Sequence, residues 1–139
     1  MRNILADTGP LVAFFSPDDI HRPRFEDALA SCERDGVRLV TTWPCIVEAS
    51  YLLQASRRFE MLRWVGLGGV VVYPFDASHL DDMLVWMDRY TEDGKREMDL
   101  ADASIYWLAC ETGITEVMTV DRNDFERYRL PDGRRFQIV

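Results

Sequence analysis

Five carboxylates stand where they could hold a cation: Asp7, Glu48, Asp99, Asp102 and Asp121. Two of them lie in the stretch MDLADASIYWLAC, residues 98–110, which is otherwise built for burial. From Leu100 to Cys110 the only charged residue is Asp102. Asp99 and Asp102 are spaced i, i+3 and share one side of a helix. Asp7 ends the run NILAD, and Asp121 closes EVMTV. Glu48 lies one turn into WPCIVEASYLL, with Cys45, Tyr51 and Leu52 as its helical neighbours.

Brought together, these groups would need counter-charge. Two carboxylates ~5 Å apart repel by ~3 kcal/mol at an effective dielectric of ~20. Four or more in one pocket must hold protons or a cation. An all-oxygen set without histidine suits a hard ion, Mg²⁺ or Mn²⁺.

The elements that must position them alternate. NILADT reads as a buried strand, followed by Thr8-Gly9-Pro10 turning into LVAFFS. DDIHRPRFEDALASCERDG reads as a helix with an apolar stripe at Phe25, Ala28, Leu29 and Cys32, ended by Gly36. VRLVTT is a second strand, and WPCIVEASYLLQAS a helix with Pro44 in its first turn. Then come a helix around RRFEMLRWVG, a β-rich run GVVVYPF, and helical spacing through Leu80, Met83, Leu84 and Met87. After the helix at 98–110 follow a strand TEVMTVD, a short helical turn RNDFERY and a strand RRFQIV. Such alternation predicts an α/β fold with a mainly parallel sheet. Each acid then falls at a strand's carboxyl end or in the first turns of the next helix, on the rim where such sheets bind ligands.

Four of these acids also have a local reading, whereas Asp102 has none because its helix offers little other polar surface. Asp7 before Thr-Gly-Pro reads as a helix cap, Glu48 as a solvated helix residue, and Asp99 as a cap or dipole partner. Asp121 reads as the start of an Asx-turn in DRND, and Asp124 serves that turn. Their common placement is what favours a shared site.

A chain of 139 residues with 47% hydrophobic and 29% charged residues is expected to form one domain over 1–139 with a real core. Three cysteines without a CxxC pair fit a reducing cytoplasm and no zinc ribbon or disulfide framework. The longest apolar run, WVGLGGVVVYPF, is too short to span a bilayer, and the N-terminus offers no secretory apolar region. A net charge of −8 disfavours a nucleic-acid partner at first sight. From Arg122 onward, however, five arginines face Asp124, Glu126 and Asp132, so the tail is locally +2 and the first 121 residues carry −10. His21 and His79 read as surface or structural, neither beside a nucleophile. Lys95 is the only lysine, DGKRE is not a phosphate-binding P-loop, and no GxGxxG or GxSxG occurs.

The stretches ILADTGPLVAFF, EASYLL, MDLADASIYWLA and MTVDRNDF, in this order and at these distances, resemble the PIN domain, and more narrowly the VapC-type toxin ribonucleases of prokaryotic toxin–antitoxin pairs. The likeness covers essentially the whole chain. It implies a three-layer α/β/α sandwich and a metal-dependent endoribonuclease that hydrolyses RNA phosphodiester bonds with one or two Mg²⁺ or Mn²⁺ ions. It places catalytic acids at Asp7, Glu48, Asp102 and Asp121 and an additional acid at Asp99. Asp7, Asp102 and Glu48 would then surround a first metal, with Asp121 and Asp99 positioning a second metal or a water. Thr119 and Asp124 match supporting positions. Gly9 departs from the family, which often has a small hydroxyl residue there. The resemblance further implies a cognate antitoxin that holds the enzyme inactive, a homodimer and a cytoplasmic location. Arg57, Arg58 or the arginine-rich tail would hold the RNA backbone.

Three other readings compete. Haloacid-dehalogenase-like phosphatases need Asp-x-Asp where this chain has Asp7-Thr8-Gly9. Response-regulator receivers need a lysine after a late strand, whereas Lys95 lies in a helix-entry loop. A PIN scaffold used only to bind a protein partner is the non-enzymatic alternative.

Overall fold

The computed structural model describes residues 2–139. Strand β1 (Asn3–Ala6) leads into α1 (Thr8–Phe15), then α2 (Arg22–Asp35), β2 (Arg38–Thr42), α3 (Trp43–Leu52) and α4 (Ala55–Gly66). After β3 (Val71–Tyr73), a 3-10 turn at Ala77–His79 precedes α5 (Leu80–Tyr90) and α6 (Leu100–Thr112). The chain ends with β4 (Glu116–Met118), α7 (Arg122–Arg127) and β5 (Gln137–Ile138). Every element expected from the periodicity forms. Thr8-Gly9-Pro10 is itself the first turn of α1 rather than a turn before it, since proline at that position lacks only an N–H that no helix uses. Gly36, at φ 70°, takes the left-handed conformation that ends α2 and returns its N–H to the Cys32 carbonyl.

The five strands pair entirely in parallel, in the order β3-β2-β1-β4-β5. Ile4, Leu5 and Ala6 are buried in succession, as are Leu39, Val40, Thr41 and Thr42. Successive strand residues point to opposite faces, so helices must cover both faces of the sheet centre. The result is the expected α/β/α sandwich. Helix α6 packs on β1, β2, α3 and α5. It is buried without interruption from Ala101 to Ala109, which explains its lack of a polar face.

The strand order contains one reversal. The chain runs outward from β1 through β2 to β3, then crosses back to add β4 on the opposite side of β1. At such a switch point the connections after two neighbouring strands diverge and leave a crevice at their carboxyl ends. Here those strands are β1 and β4, followed by Asp7 and, after Thr119 and Val120, by Asp121.

Candidate metal centre

Three of the five acids close into one cluster. Asp7, Asp102 and Asp121 each offer a carboxylate oxygen, and these oxygens all lie within 4.8 Å of one another. Asp7 and Asp102 are buried, while Asp121 stands at the open edge. Asp7 is brought there by β1, Asp121 by the segment after β4, and Asp102 by the first turn of α6.

Asp7 precedes α1 but makes no side-chain cap to it. Its carboxylate is engaged elsewhere: the Thr119 hydroxyl donates to Oδ2 at 3.0 Å, and the buried Cys45 thiol approaches Oδ1 at 3.7 Å. Thr119 Oγ1 also accepts the Asp121 backbone N–H at 3.0 Å, so one hydroxyl couples two members of the cluster. Asp102 Oδ2 accepts from the Tyr128 hydroxyl at 3.1 Å. That ring is fully buried among Tyr90, Tyr106 and Phe125, at centroid distances of 4.9, 6.5 and 5.1 Å.

Glu48 and Asp99 stand beside the cluster rather than in it. Glu48 is half-buried on α3 and accepts from the Thr8 hydroxyl at 3.2 Å. Asp99 caps α6, accepting the Asp102 backbone N–H at 2.9 Å, so the local reading of this residue is realised. The trio that closes is thus Asp7, Asp102 and Asp121, with Glu48 replaced by Asp121 in the innermost set. Asp124 is half-buried and faces Arg127 at 3.6 Å.

Burial dominates the acid–base behaviour of the site. It pushes the Asp7 carboxyl well above the usual carboxylate range, against the Thr119 hydrogen bond, with Asp121 and Asp99 adding like charge. Asp102 is raised by burial first, then by Asp7 and Asp99, with the Tyr128 hydroxyl opposing. Burial and like charge also raise Glu48 and Asp121. Carboxyls that hold protons because water is excluded and other acids crowd them are a site short of positive charge. No histidine and no basic side chain hydrogen-bonds to the cluster among the described residues. The donor set, three convergent carboxylate oxygens with further acids alongside, fits a hard divalent cation.

Cys45, Tyr128 and Thr8 are functional neighbours that sequence reasoning did not single out. Cys45 carried a signal, being three residues before Glu48. Tyr128 carried none, because its partner lies 26 residues away and its ring reads as core. Among the expected RNA-holding arginines, Arg58 is committed elsewhere: its guanidinium donates to the Ser50 and Leu53 carbonyls at 2.6 and 2.9 Å, closing the end of α3. Arg57 pairs with Glu60 at 3.4 Å. His79 is structural, as expected, its Nδ1 accepting the Asp76 N–H at 3.2 Å and its ring lying 5.0 Å from Trp107.

The departure at Gly9 has a steric cause. A Cβ at this position would meet Val120 Cγ2 at 2.5 Å and Cγ1 at 2.7 Å, so the first turn of α1 approaches the β4–α7 segment too closely for any side chain.

One side of the crevice is apolar. Trp43, Pro44, Val47, Tyr51, Phe75 and Leu100 line a cavity of about 720 Å³ that also reaches Glu48 and Asp99. Val47 is 64% exposed and Tyr51 83%, although both lie on one helix.

Comparison with known proteins assigns the architecture. The PIN domain model matches residues 4–130, and the chain belongs to the PIN domain family. Among solved structures it is similar to the VapC20 toxin of Mycobacterium tuberculosis, described as cleaving the sarcin-ricin loop. The TM-score is 0.69 at 18% identity, covering 82% of this chain and 86% of that one. No curated protein sequence matches the chain significantly. No helix among the described residues is long and apolar enough to cross a membrane.

Proposed function

We propose that the chain, as a single domain over 1–139, is a Mg²⁺- or Mn²⁺-dependent endoribonuclease and the toxin of a type II toxin–antitoxin pair acting in the cytoplasm. The observation that carries this reading is the closure of Asp7, Asp102 and Asp121 at the switch point of a PIN-family sheet. The likeness to VapC20, a toxin that cleaves RNA, supports it.

Asp7, Asp102 and Asp121 would hold the ion, with Glu48 and Asp99 at its margin. A bound divalent cation supplies Lewis-acid activation of a water and of a phosphoryl oxygen. The residues of this chain do the rest. Thr119 and Cys45 fix the Asp7 carboxylate, and Tyr128 fixes that of Asp102. Asp99, on the open side, would orient the attacking water and accept its proton; the water oxygen would form the new P–O bond as the scissile one breaks, and the departing oxygen would take its proton from solvent. The apolar wall at Trp43, Val47, Tyr51 and Leu100 supports a protein partner, an antitoxin segment or a second copy of the chain.

The test is cleavage of a mixed RNA pool in Mg²⁺, Mn²⁺ or EDTA by the wild type, Asp7→Asn and Asp102→Asn. Metal-dependent cleavage lost in both variants supports the reading. Cleavage surviving in both refutes the placement of the site. Calorimetry that finds no Mg²⁺ or Mn²⁺ binding to the wild type leaves the non-catalytic PIN scaffold as the better account. Growth arrest on expression, relieved by the product of a neighbouring gene, tests the toxin assignment.

A further inference from the structure

Beside the metal centre lies a second cleft of about 460 Å³, lined by Lys95, Arg96, Val120, Asp121, Arg122, Asn123 and Asp124. It shares Asp121 with the metal centre. We propose that this cleft is a subsite for the RNA backbone phosphate next to the scissile one, with Lys95, Arg96 and Arg122 as its cationic groups. The proposal rests on the ribonuclease reading and adds to it where the substrate chain leaves the cluster.

The three cations line the cleft from two elements. Arg122 opens α7, directly after Asp121. Lys95 and Arg96 sit on the loop before α6, which is ordered by its own backbone: Glu92 N–H donates to the Arg96 carbonyl at 2.9 Å, and Arg96 N–H to that of Glu92 at 3.1 Å. The loop therefore presents both side chains from a closed turn rather than a free strand. Lys95 is the sole lysine of the chain.

Charge decides which side the backbone takes. The site is surrounded by Glu48, Asp99, Asp121 and Asp124, all unfavourable to phosphate. The apolar cavity contributes no cation among its lining residues. The cleft contributes three. Its own acids are partly answered, Asp124 by Arg127 and Asp121 by whatever cation the cluster holds. In the free protein Arg96 pairs with Glu92 and Arg122 with Glu126, each at 3.2 Å, and Lys95 stands 4.0 Å from Glu92. These are solvent-exposed pairs, which are weak and readily exchanged for a phosphate.

The test measures binding of a labelled single-stranded RNA oligonucleotide across a series of KCl concentrations, in the cleavage-deficient Asp102→Asn protein. Adding Lys95→Ala, Arg96→Ala and Arg122→Ala should weaken binding at least about tenfold at low salt. It should also flatten the plot of log affinity against log salt by ~0.7 for each phosphate no longer neutralised. The control is Arg34→Ala on α2 with Arg63→Ala on α4, which removes exposed charge away from the cleft and should leave the slope unchanged. A triple variant with the parent's affinity and slope overturns the proposal, as does an equal loss in the control. Calorimetry separates this from the reading beneath it. If the wild type binds Mg²⁺ and cleaves RNA while the triple variant keeps the parent slope, only the cleft assignment falls. If the wild type neither binds metal nor cleaves RNA, the ribonuclease reading falls and takes the subsite with it.

Discussion

The floor and the rim of the crevice are both acidic, yet they are built differently. On the floor, Asp7 and Asp102 are buried and fixed by donors from distant parts of the chain, Thr119, Cys45 and Tyr128. On the rim, Glu48 accepts from the Thr8 hydroxyl, 40 residues away in the first turn of α1, and Asp99 is held locally by the Asp102 N–H that it caps. Asp99 is exposed and Glu48 only half-buried, so water reaches both. The floor acids are deprived of water and of basic partners, and they hold protons to higher pH than the rim's environment alone would require. The floor is therefore where a cation is demanded, and the rim is where reactants are handled.

The largest expected effect comes from breaking the floor. Asp7→Asn or Asp102→Asn should lower RNA cleavage by a factor on the order of 10³, the scale for removing a group the reaction depends on directly. The same changes should stabilise the metal-free protein at pH 8 by about 2 kcal/mol, because each removes a carboxyl that ionises freely in the unfolded chain and only at a cost in the buried site. Thermal unfolding of the apo variants beside cleavage assays checks both. A variant less active and also less stable at pH 8 would contradict the contrast between floor and rim.

Tyr128→Phe sharpens the point, since it removes one hydroxyl and keeps the ring. Residues that orient metal ligands from behind typically affect metal affinity or activity by ~10–100-fold. Mg²⁺ affinity by calorimetry should fall within that range while the apo thermal midpoint moves little. Unchanged affinity would show that Asp102 needs no such support.

The pH dependence follows from the direction of the shifts. In the unfolded chain these carboxyls ionise near pH 4. In the native apo protein burial keeps protons on Asp7 and Asp102 to higher pH. The native state thus binds more protons above about pH 4, and stability falls as pH rises until the native carboxyls have ionised. The apo melting temperature should drop between about pH 5 and pH 8, and Mg²⁺ should restore it most at the alkaline end.

A smaller effect is expected at the seam between α1 and the β4–α7 segment. Gly9→Ser would press a Cβ into Val120, a stiff β-branched side chain, and should destabilise by about 1–3 kcal/mol. Combining it with Val120→Ala should recover part of the loss, and chemical denaturation of the single and double variants measures the coupling. The smallest change is at the rim. Asp99→Ala should remove the α6 cap and cost about 1 kcal/mol, whereas Asp99→Asn should keep most of it.

The elements were legible because they are local. Apolar periodicity, Pro44 in a first turn and Gly36 at a helix end are read within a few residues, and the strands and helices form where these signals lie. The acids were legible for a related reason: each sits at a strand end or a helix entrance, and a parallel sheet sends such ends to one rim. The sequence by itself therefore determined the fold class and the side of the sheet that carries the chemistry. Tertiary structure decided which acids share the innermost cluster. That depends on the sheet reversing between β1 and β4, which sets Asp121 beside Asp7 and leaves Glu48 to the rim. It also decided that Tyr128 supports Asp102, that Arg58 closes α3, and that position 9 has no room for a hydroxyl. Each of these is set by a meeting of side chains and backbone over a few ångströms, which no periodicity encodes.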